Sequence, residues 1–361
     1  MLPIFGELDR AAKPGPAPRA RGDRRLLDSH GRTIRDLRLS VTDRCNFRCV
    51  YCMEPDVRFM GSNELLSIEE MARVARVCAG LGIEKIRVTG GEPTVRTDLA
   101  EILAAISRGV EEAARPEGGR LDLAMTTNGS LMDEARLGEW RRAGLKRITV
   151  SIDSLDAGRF ARVTRSASSP GEVVEGIRAA KRAGFDPVKV NAVVVRGFNE
   201  DDVPGLAALA RELAIDMRYI EFMPLDSGRA WDESKLVPAS EIVERIGREF
   251  ALESIERDEE SSTALLYRFA DGSPGRIGVI APVTRTFCGA CSRLRITADG
   301  KVRPCLFSTR EWDLRPLLRE GGTDGEIEEF LMDVTWTKQA GHGISSAAFE
   351  QPARPMSAIG G

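Results

Sequence analysis

Histidine is nearly absent from this sequence: its 361 residues include two, His30 and His342. Any site built from cysteine and histidine together is short of partners. Charge of one sign is not in excess either. With 52 Lys plus Arg against 55 Asp plus Glu, the formal net charge is -3, which gives no support to a global nucleic-acid-binding surface. No apolar run approaches the roughly 20 residues that a membrane-spanning helix needs, so no membrane partner is expected. Residues 1–25 lack the apolar stretch of a secretory signal. A transit peptide is the weaker alternative, because Glu7, Asp9 and Asp23 are out of character for one. No G-x4-G-K-S/T segment occurs, which excludes a phosphate-cradling P-loop. There is no long internal repeat, and no low-complexity tract beyond a basic arm with Pro14, Pro16, Pro18, Arg19, Arg21, Arg24 and Arg25.

Cysteine, by contrast, is organised. Of seven, six fall into two trios and the seventh, Cys78, sits in an amphipathic pattern as a core residue. Such clustering in a long chain reads as metal binding in a reducing, cytoplasmic compartment rather than as a disulfide scaffold. Cys45, Cys49 and Cys52 have the spacing C-x3-C-x2-C, with Tyr51 before the last. Cys288, Cys291 and Cys305 form C-x2-C-x13-C. Iron–sulfur clusters normally take four thiolates, so each trio leaves one iron open for a ligand. The alternative is a zinc knuckle completed by an Asp or Glu that the spacing does not reveal.

From Ile34 the chain alternates short apolar strands with amphipathic helices. Strands are predicted at 36–41, 85–89, 121–126, 147–152, 188–195 and 217–223. Helices are predicted at 67–80, 97–109, 132–143, 171–183 and 201–213, the first opened by a Ser67–Glu70 capping box. Right-handed parallel units put all the strand C-terminal ends on one face. Cys45, Gly90-Gly91-Glu92-Pro93, Thr126-Thr127-Asn128-Gly129, Ser151 and Met223 all follow or end strands. Suggestive residues at each strand end favour a partial (β/α)6 barrel over an open doubly wound sheet.

After about residue 235 the rhythm breaks into a helix (239–249), hairpin-like segments at 265–269 and 276–280, and a last helix near 325–338. The expected organisation is a flexible arm over 1–33, a barrel over 34–235, and an α+β region over 236–361 packed across the open side.

The string C-N-F-R-C-V-Y-C after a first strand resembles the signature of radical S-adenosylmethionine (SAM) enzymes. Together with the second trio, Val188-Lys189-Val190-Asn191 and the terminal Ile359-Gly360-Gly361, it resembles the GTP 3′,8-cyclase family, which opens molybdenum-cofactor biosynthesis. Ser292 departs from the asparagine that relatives often carry there.

The resemblance implies two [4Fe–4S] clusters, held by Cys45, Cys49 and Cys52 and by Cys288, Cys291 and Cys305. It implies SAM contacts at Tyr51, Gly91, Ser151 and Met223, and GTP contacts at Arg38, Arg87, Thr126, Lys189, Arg293 and Arg295. Arg293 and Arg295 would also assist catalysis, and the Gly360-Gly361 tail would reach the active site. Further implications are a reduced flavodoxin- or ferredoxin-type electron donor and product transfer to cyclic pyranopterin monophosphate synthase, with a homodimer left open.

Each residue also has a bland reading. The Gly pair makes an ordinary turn, Met223 is core, Lys189 faces outward, Arg293 and Arg295 line a solvated β-edge, and the last glycines fray. Against this, cations pointing into a barrel would cost several kcal/mol each if unpaired, so basic residues on these strands ask for an anion. Two other functions compete. One is a radical SAM peptide maturase, which would carry more C-terminal cysteines. The other is a non-enzymatic electron-transfer or zinc scaffold.

Overall fold

The computed structural model describes residues 24–113, 121–226, 228–229, 231–257, 259–344, 346 and 349–360. In chain order, β1 (Asp36–Ser40), α1 (Ile68–Gly80), β2 (Lys85–Thr89), α2 (Leu99–Glu111), β3 (Asp122–Thr127) and α3 (Glu134–Arg142) begin the alternation. It continues through β4 (Arg147–Ser151), α4 (Ala157–Thr164), α5 (Pro170–Arg182), β5 (Lys189–Val194), α6 (Val203–Leu213) and β6 (Asp216–Glu221). The capping box read at Ser67 and Glu70 is formed, and Ser169–Glu172 makes a second at the start of α5. Each satisfies two N-terminal N–H groups that the helix cannot.

The remaining elements are α7 (Ala239–Gly247), β7 (Leu252–Ile255), β8 (Ala264–Phe269), β9 (Arg276–Ile280), β10 (Arg293–Ile296), β11 (Lys301–Arg303) and β12 (Trp312–Asp313). After them come α8 (Arg315–Arg319), α9 (Asp324–Trp336) and α10 (Met356–Ile359). Among the described residues all strands share one twelve-stranded sheet in the order β12-β11-β10-β1-β2-β3-β4-β5-β6-β9-β8-β7. Every pairing from β10 across to β9 is parallel. The helices cover its outer face: Leu37, Leu39, Ile86, Val88, Met125 and Val150 are fully buried within one large core.

This is the expected unclosed barrel. The region after 235 meets its open side through the sheet itself: β9 adds to β6 and β10 adds to β1, extending the barrel sheet at both edges. The reason is physical. A six-stranded arc leaves two edges of unpaired N–H and C=O groups, and segments distant in sequence satisfy them. Within the described part of the arm Arg24 and Arg25 are exposed, while Leu26 is fully buried and accepts at its carbonyl from Ile34 N at 2.8 Å. Residues 1–23 lie outside the described set.

Candidate active site

The C-terminal end of β1 runs directly into the first cysteine trio. Tight main-chain bonds seat this loop: Arg48 N donates to Thr164 O at 2.7 Å, Val50 N to Val163 O at 3.0 Å, and Glu92 N to Arg44 O at 2.7 Å. Arg48 Nη1 caps Cys45 O at 2.6 Å, and Phe47 packs edge-on against Phe160 with centroids 5.9 Å apart. Thus α4, which the sequence pattern did not reveal, forms the floor of the cysteine loop. Its eight residues are too short for a convincing helical period.

The second trio comes from a 3-10 turn at Cys288–Ala290, from Cys291, and from Cys305 just after β11. β10 lies parallel beside β1, which carries these cysteines to the mouth of the barrel. All six cysteines line one cavity of about 320 Å³. Tyr51, Gly91, Ser151, Met223, Arg38, Arg87, Thr126, Arg293 and Arg295 share its wall. Lys189 lines an adjoining cavity of about 140 Å³ that also contains Arg38, Arg87, Arg218 and Arg293. It therefore faces inward, and the outward alternative is wrong.

Register explains the clustering. Arg295, Arg38 and Arg87 sit level on the adjacent strands β10, β1 and β2, so alternation brings all three to the inner face. Burial, then the like charges of Arg295 and Arg293, hold the Arg38 guanidinium well below its usual pKa. Burial and the Arg38, Arg147 and Arg218 charges bring Arg87 down to about 9. Lys189 falls to about 8 through burial and the neighbouring Arg218 and Arg147. Among the described residues Arg87 donates to two neutral hydroxyls, Thr149 Oγ1 at 3.0 Å and Thr126 Oγ1 at 3.3 Å. Such a crowd of cations is stabilised by a polyanion.

Arg147, Arg218 and Lys85 also line this basic wall and were not singled out from sequence. Arg147 pairs with Asp122 and Lys85 with Glu259. Lys85 could have been found by alternation from Arg87 on β2, but Arg147 is brought level with Ala124 and Arg87 by pairing between strands, and register between strands is not written in one strand's sequence.

The donor set fits metal. Both trios are free thiols. Burial pushes Cys45 up to about 11 and Cys52 up to about 12, and the trio's own sulfurs repel one another. Unligated, these thiols stay neutral; a coordinated metal deprotonates them outright. In the second trio burial also opposes ionisation, yet the Arg293 and Lys338 charges prevail and lower Cys291 to about 6. Among the described residues no three His, Cys, Asp or Glu side chains converge as on a single metal ion. A cube, which takes one thiolate on each iron, calls for the wider setting. His342, remote in sequence, stands in the chamber wall and stacks on Phe307 at 5.2 Å.

Tyr51 Oη donates to Asp153 Oδ2 at 2.6 Å, and burial raises that carboxyl to about 6. Glu92 accepts from Thr94 N at 3.0 Å, Thr127 Oγ1 at 2.7 Å and Asn128 N at 2.6 Å, binding the ends of β2 and β3 together. Ser292 Oγ donates to Asp36 Oδ2, so the residue that departs from the expected asparagine ties β10 to β1.

Gly360 does not fray. Its carbonyl accepts from Arg295 Nη1, and a Cβ there would lie 2.8 Å from Thr89 Oγ1, so the tail is wedged over the ends of β1 and β2. Gly361 lies outside the described residues.

Residues 39–210 match the Radical SAM superfamily and residues 215–344 match Molybdenum Cofactor Synthesis C. Among curated proteins, the GTP 3',8-cyclase of Mycolicibacterium smegmatis is 44% identical over 98% of this chain and 96% of its own length. That of Streptomyces coelicolor is 42% identical over 93% and 96%. Among solved structures, native anSMEcpe with bound AdoMet superposes with a TM-score of 0.57 at 15% identity, covering 84% of this chain and 81% of that one. Streptococcus suis SuiB bound to its precursor peptide gives 0.54 at 14%, covering 76% and 60%. These two share the fold alone. The near-complete alignment with curated cyclases, on a barrel whose mouth gathers both cysteine trios, makes this chain a member of the GTP 3′,8-cyclase family within the radical SAM superfamily.

Proposed function

We propose that this protein is a GTP 3′,8-cyclase, catalysing the first step of molybdenum-cofactor biosynthesis from GTP and SAM. The observation that carries the reading is the single chamber onto which both cysteine trios and the crowded cationic wall open. When bound, the clusters and SAM would supply a 5′-deoxyadenosyl radical; loss of the C3′ hydrogen of GTP to it, bonding of C3′ to C8, and uptake of one electron and one proton by the resulting base radical would give 3′,8-cyclo-7,8-dihydro-GTP.

The chain's own residues bind, orient and exclude water. Cys45, Cys49 and Cys52 hold the first cluster. The Gly91 main chain, Tyr51, Ser151 and Met223 bind SAM beside it. Arg38, Arg87 and Lys189, joined by Arg218, receive the triphosphate, for which guanidinium forks and an ammonium are suited. Thr126 contacts GTP from β3. Cys288, Cys291 and Cys305 would hold the second cluster, which would help to orient the guanine, with Arg293 and Arg295 assisting the closing steps. Arg295 also anchors the tail at the Gly360 carbonyl. Met223, Leu225, Phe307 and Ile359, packed together, keep water from the reacting atoms. A reduced flavodoxin or ferredoxin would deliver the electrons, one for SAM cleavage and one for reduction of the cyclised base radical, and cyclic pyranopterin monophosphate synthase would take the product.

The test is anaerobic incubation of reconstituted protein with SAM, reductant and each nucleotide in turn. Iron should approach about eight per chain, as two cubes require, and 5′-deoxyadenosine should form with GTP only. Cys45→Ser should abolish SAM cleavage, and Cys305→Ser should spare SAM binding while losing GTP-dependent turnover. Equal deoxyadenosine with any nucleotide would overturn the substrate assignment.

A further inference from the structure

Two buried cations stand behind the second cysteine trio, and neither belongs to the phosphate wall. Arg32 donates to Cys288 O at 2.7 Å, Gln339 O at 2.7 Å and Ala340 O at 3.0 Å. Its charge is balanced by Asp28, whose side chain is fully buried. Lys338 differs. It is 3% exposed, and its ammonium donates to Arg293 O at 2.7 Å and to Pro304 O. Both acceptors are neutral carbonyls, one beside Cys305 and one two residues past Cys291.

Among the described residues no carboxylate pairs with Lys338. The charged groups that bear on it are the sulfurs of Cys291 and Cys305 and the like charges of Arg293 and Arg32. A buried ammonium without an anion is strongly disfavoured, and the negative groups within reach are thiolates. Three thiolates on an iron–sulfur centre would supply the missing charge. A fixed positive charge beside such a centre favours its more negative, reduced form and so raises its potential.

We infer that Lys338 is a positioning residue for the second cluster: it ties the Cys291 and Cys305 segments together through their carbonyls and offsets the charge of the thiolate-ligated centre. The inference rests on the reading that Cys288, Cys291 and Cys305 hold a cluster.

The test compares wild type, Lys338→Gln, Lys338→Met and Lys338→Arg as full-length, anaerobically reconstituted protein. Gln keeps an amide donor for the carbonyls without the charge, Met keeps only length, and Arg keeps the charge. Iron per chain, melting temperature with and without clusters, and the second cluster's midpoint potential are measured. Its signal is identified by its absence from Cys305→Ser.

The Gln and Met variants should shift the potential negative, while Arg stays near wild type. In the metal-free protein Lys338→Gln should melt at or above wild type, and in the loaded protein below it. That reversal separates a counter-charge from a merely structural lysine, which would lower both melting points alike. Loss of about half the iron from Gln and Met with the metal-free melting point intact also supports the inference. An unchanged potential in Gln and Met, an equal shift in Arg, or equal destabilisation of both forms would overturn it. If wild type itself never takes up a second cluster, the functional reading fails instead.

Discussion

A close main-chain junction lies between the Gly90-Gly91 turn and the chain that leads into Cys45, and Gly91→Ala tests it. A Cβ at Gly91 would lie 2.4 Å from Arg44 O and 2.5 Å from Asp43 O, both main-chain atoms, where ordinary contact begins at 3.4 Å. Those carbonyls cannot rotate aside as a side chain would. They are also stitched to the turn, with Gly91 N donating to Thr42 O at 2.8 Å. The loop must therefore retreat by about 1 Å, an overpacking that costs ~1–3 kcal/mol. Because Cys45 follows Arg44 directly, the retreat moves a cluster ligand. Metal-free Gly91→Ala should melt a few degrees lower, and after reconstitution it should hold less iron and bind SAM weakly. Gly80→Ala is the control: nothing lies within 4 Å of a Cβ there, and alanine near the end of α1 should be neutral or stabilising by up to ~1 kcal/mol. Wild-type iron, SAM affinity and melting temperature in Gly91→Ala would refute the close approach.

Three further outcomes are expected. Arg87→Met should leave the metal-free protein as stable as wild type or more so, by relieving repulsion from Arg38, Arg147 and Arg218. It should weaken GTP or tripolyphosphate binding by ~2–5 kcal/mol, the scale for truncating a buried charged partner, read by calorimetry. Glu92→Gln turns an acceptor facing the Asn128 N–H into a donor, which should cost ~1–3 kcal/mol in urea unfolding. Asp299, although burial pushes its carboxyl up, is held below the usual range by the Arg354 fork at 2.9 and 3.0 Å and by Thr297. The native state then binds fewer protons than the unfolded chain, so this contribution is present above the ordinary carboxylate pKa and is lost as pH falls through the depressed one. Arg354→Met should flatten that acid limb of the melting curve and lower GTP-dependent turnover at unchanged iron content, by loosening the tail that carries Gly360.

The alternation of strands and helices was legible because each element is amphipathic at its own period, and the capping box at Ser67 announced α1 within four residues. The cysteine trios were legible because ligand spacing is local. What escaped the sequence depends on contacts between distant segments. Helix α4 is only two turns long and is held by the cysteine loop it supports. β9 and β10 were visible as strands or strand-like pieces, but nothing local says that one pairs with β6 and the other with β1. Lys338 and His342 lie far along the chain from the cysteines they adjoin.

Composition and periodicity alone determined a βα-repeating chain with two three-thiol sites and basic residues on its strands, since hydrophobic period and ligand spacing act over a few residues. Tertiary structure decided that β10 lies against β1 and so brings both trios to one chamber, with Arg295, Arg38 and Arg87 level across three strands. Strand neighbours are chosen by edge hydrogen bonding and packing across hundreds of residues, a choice made by the whole fold at once.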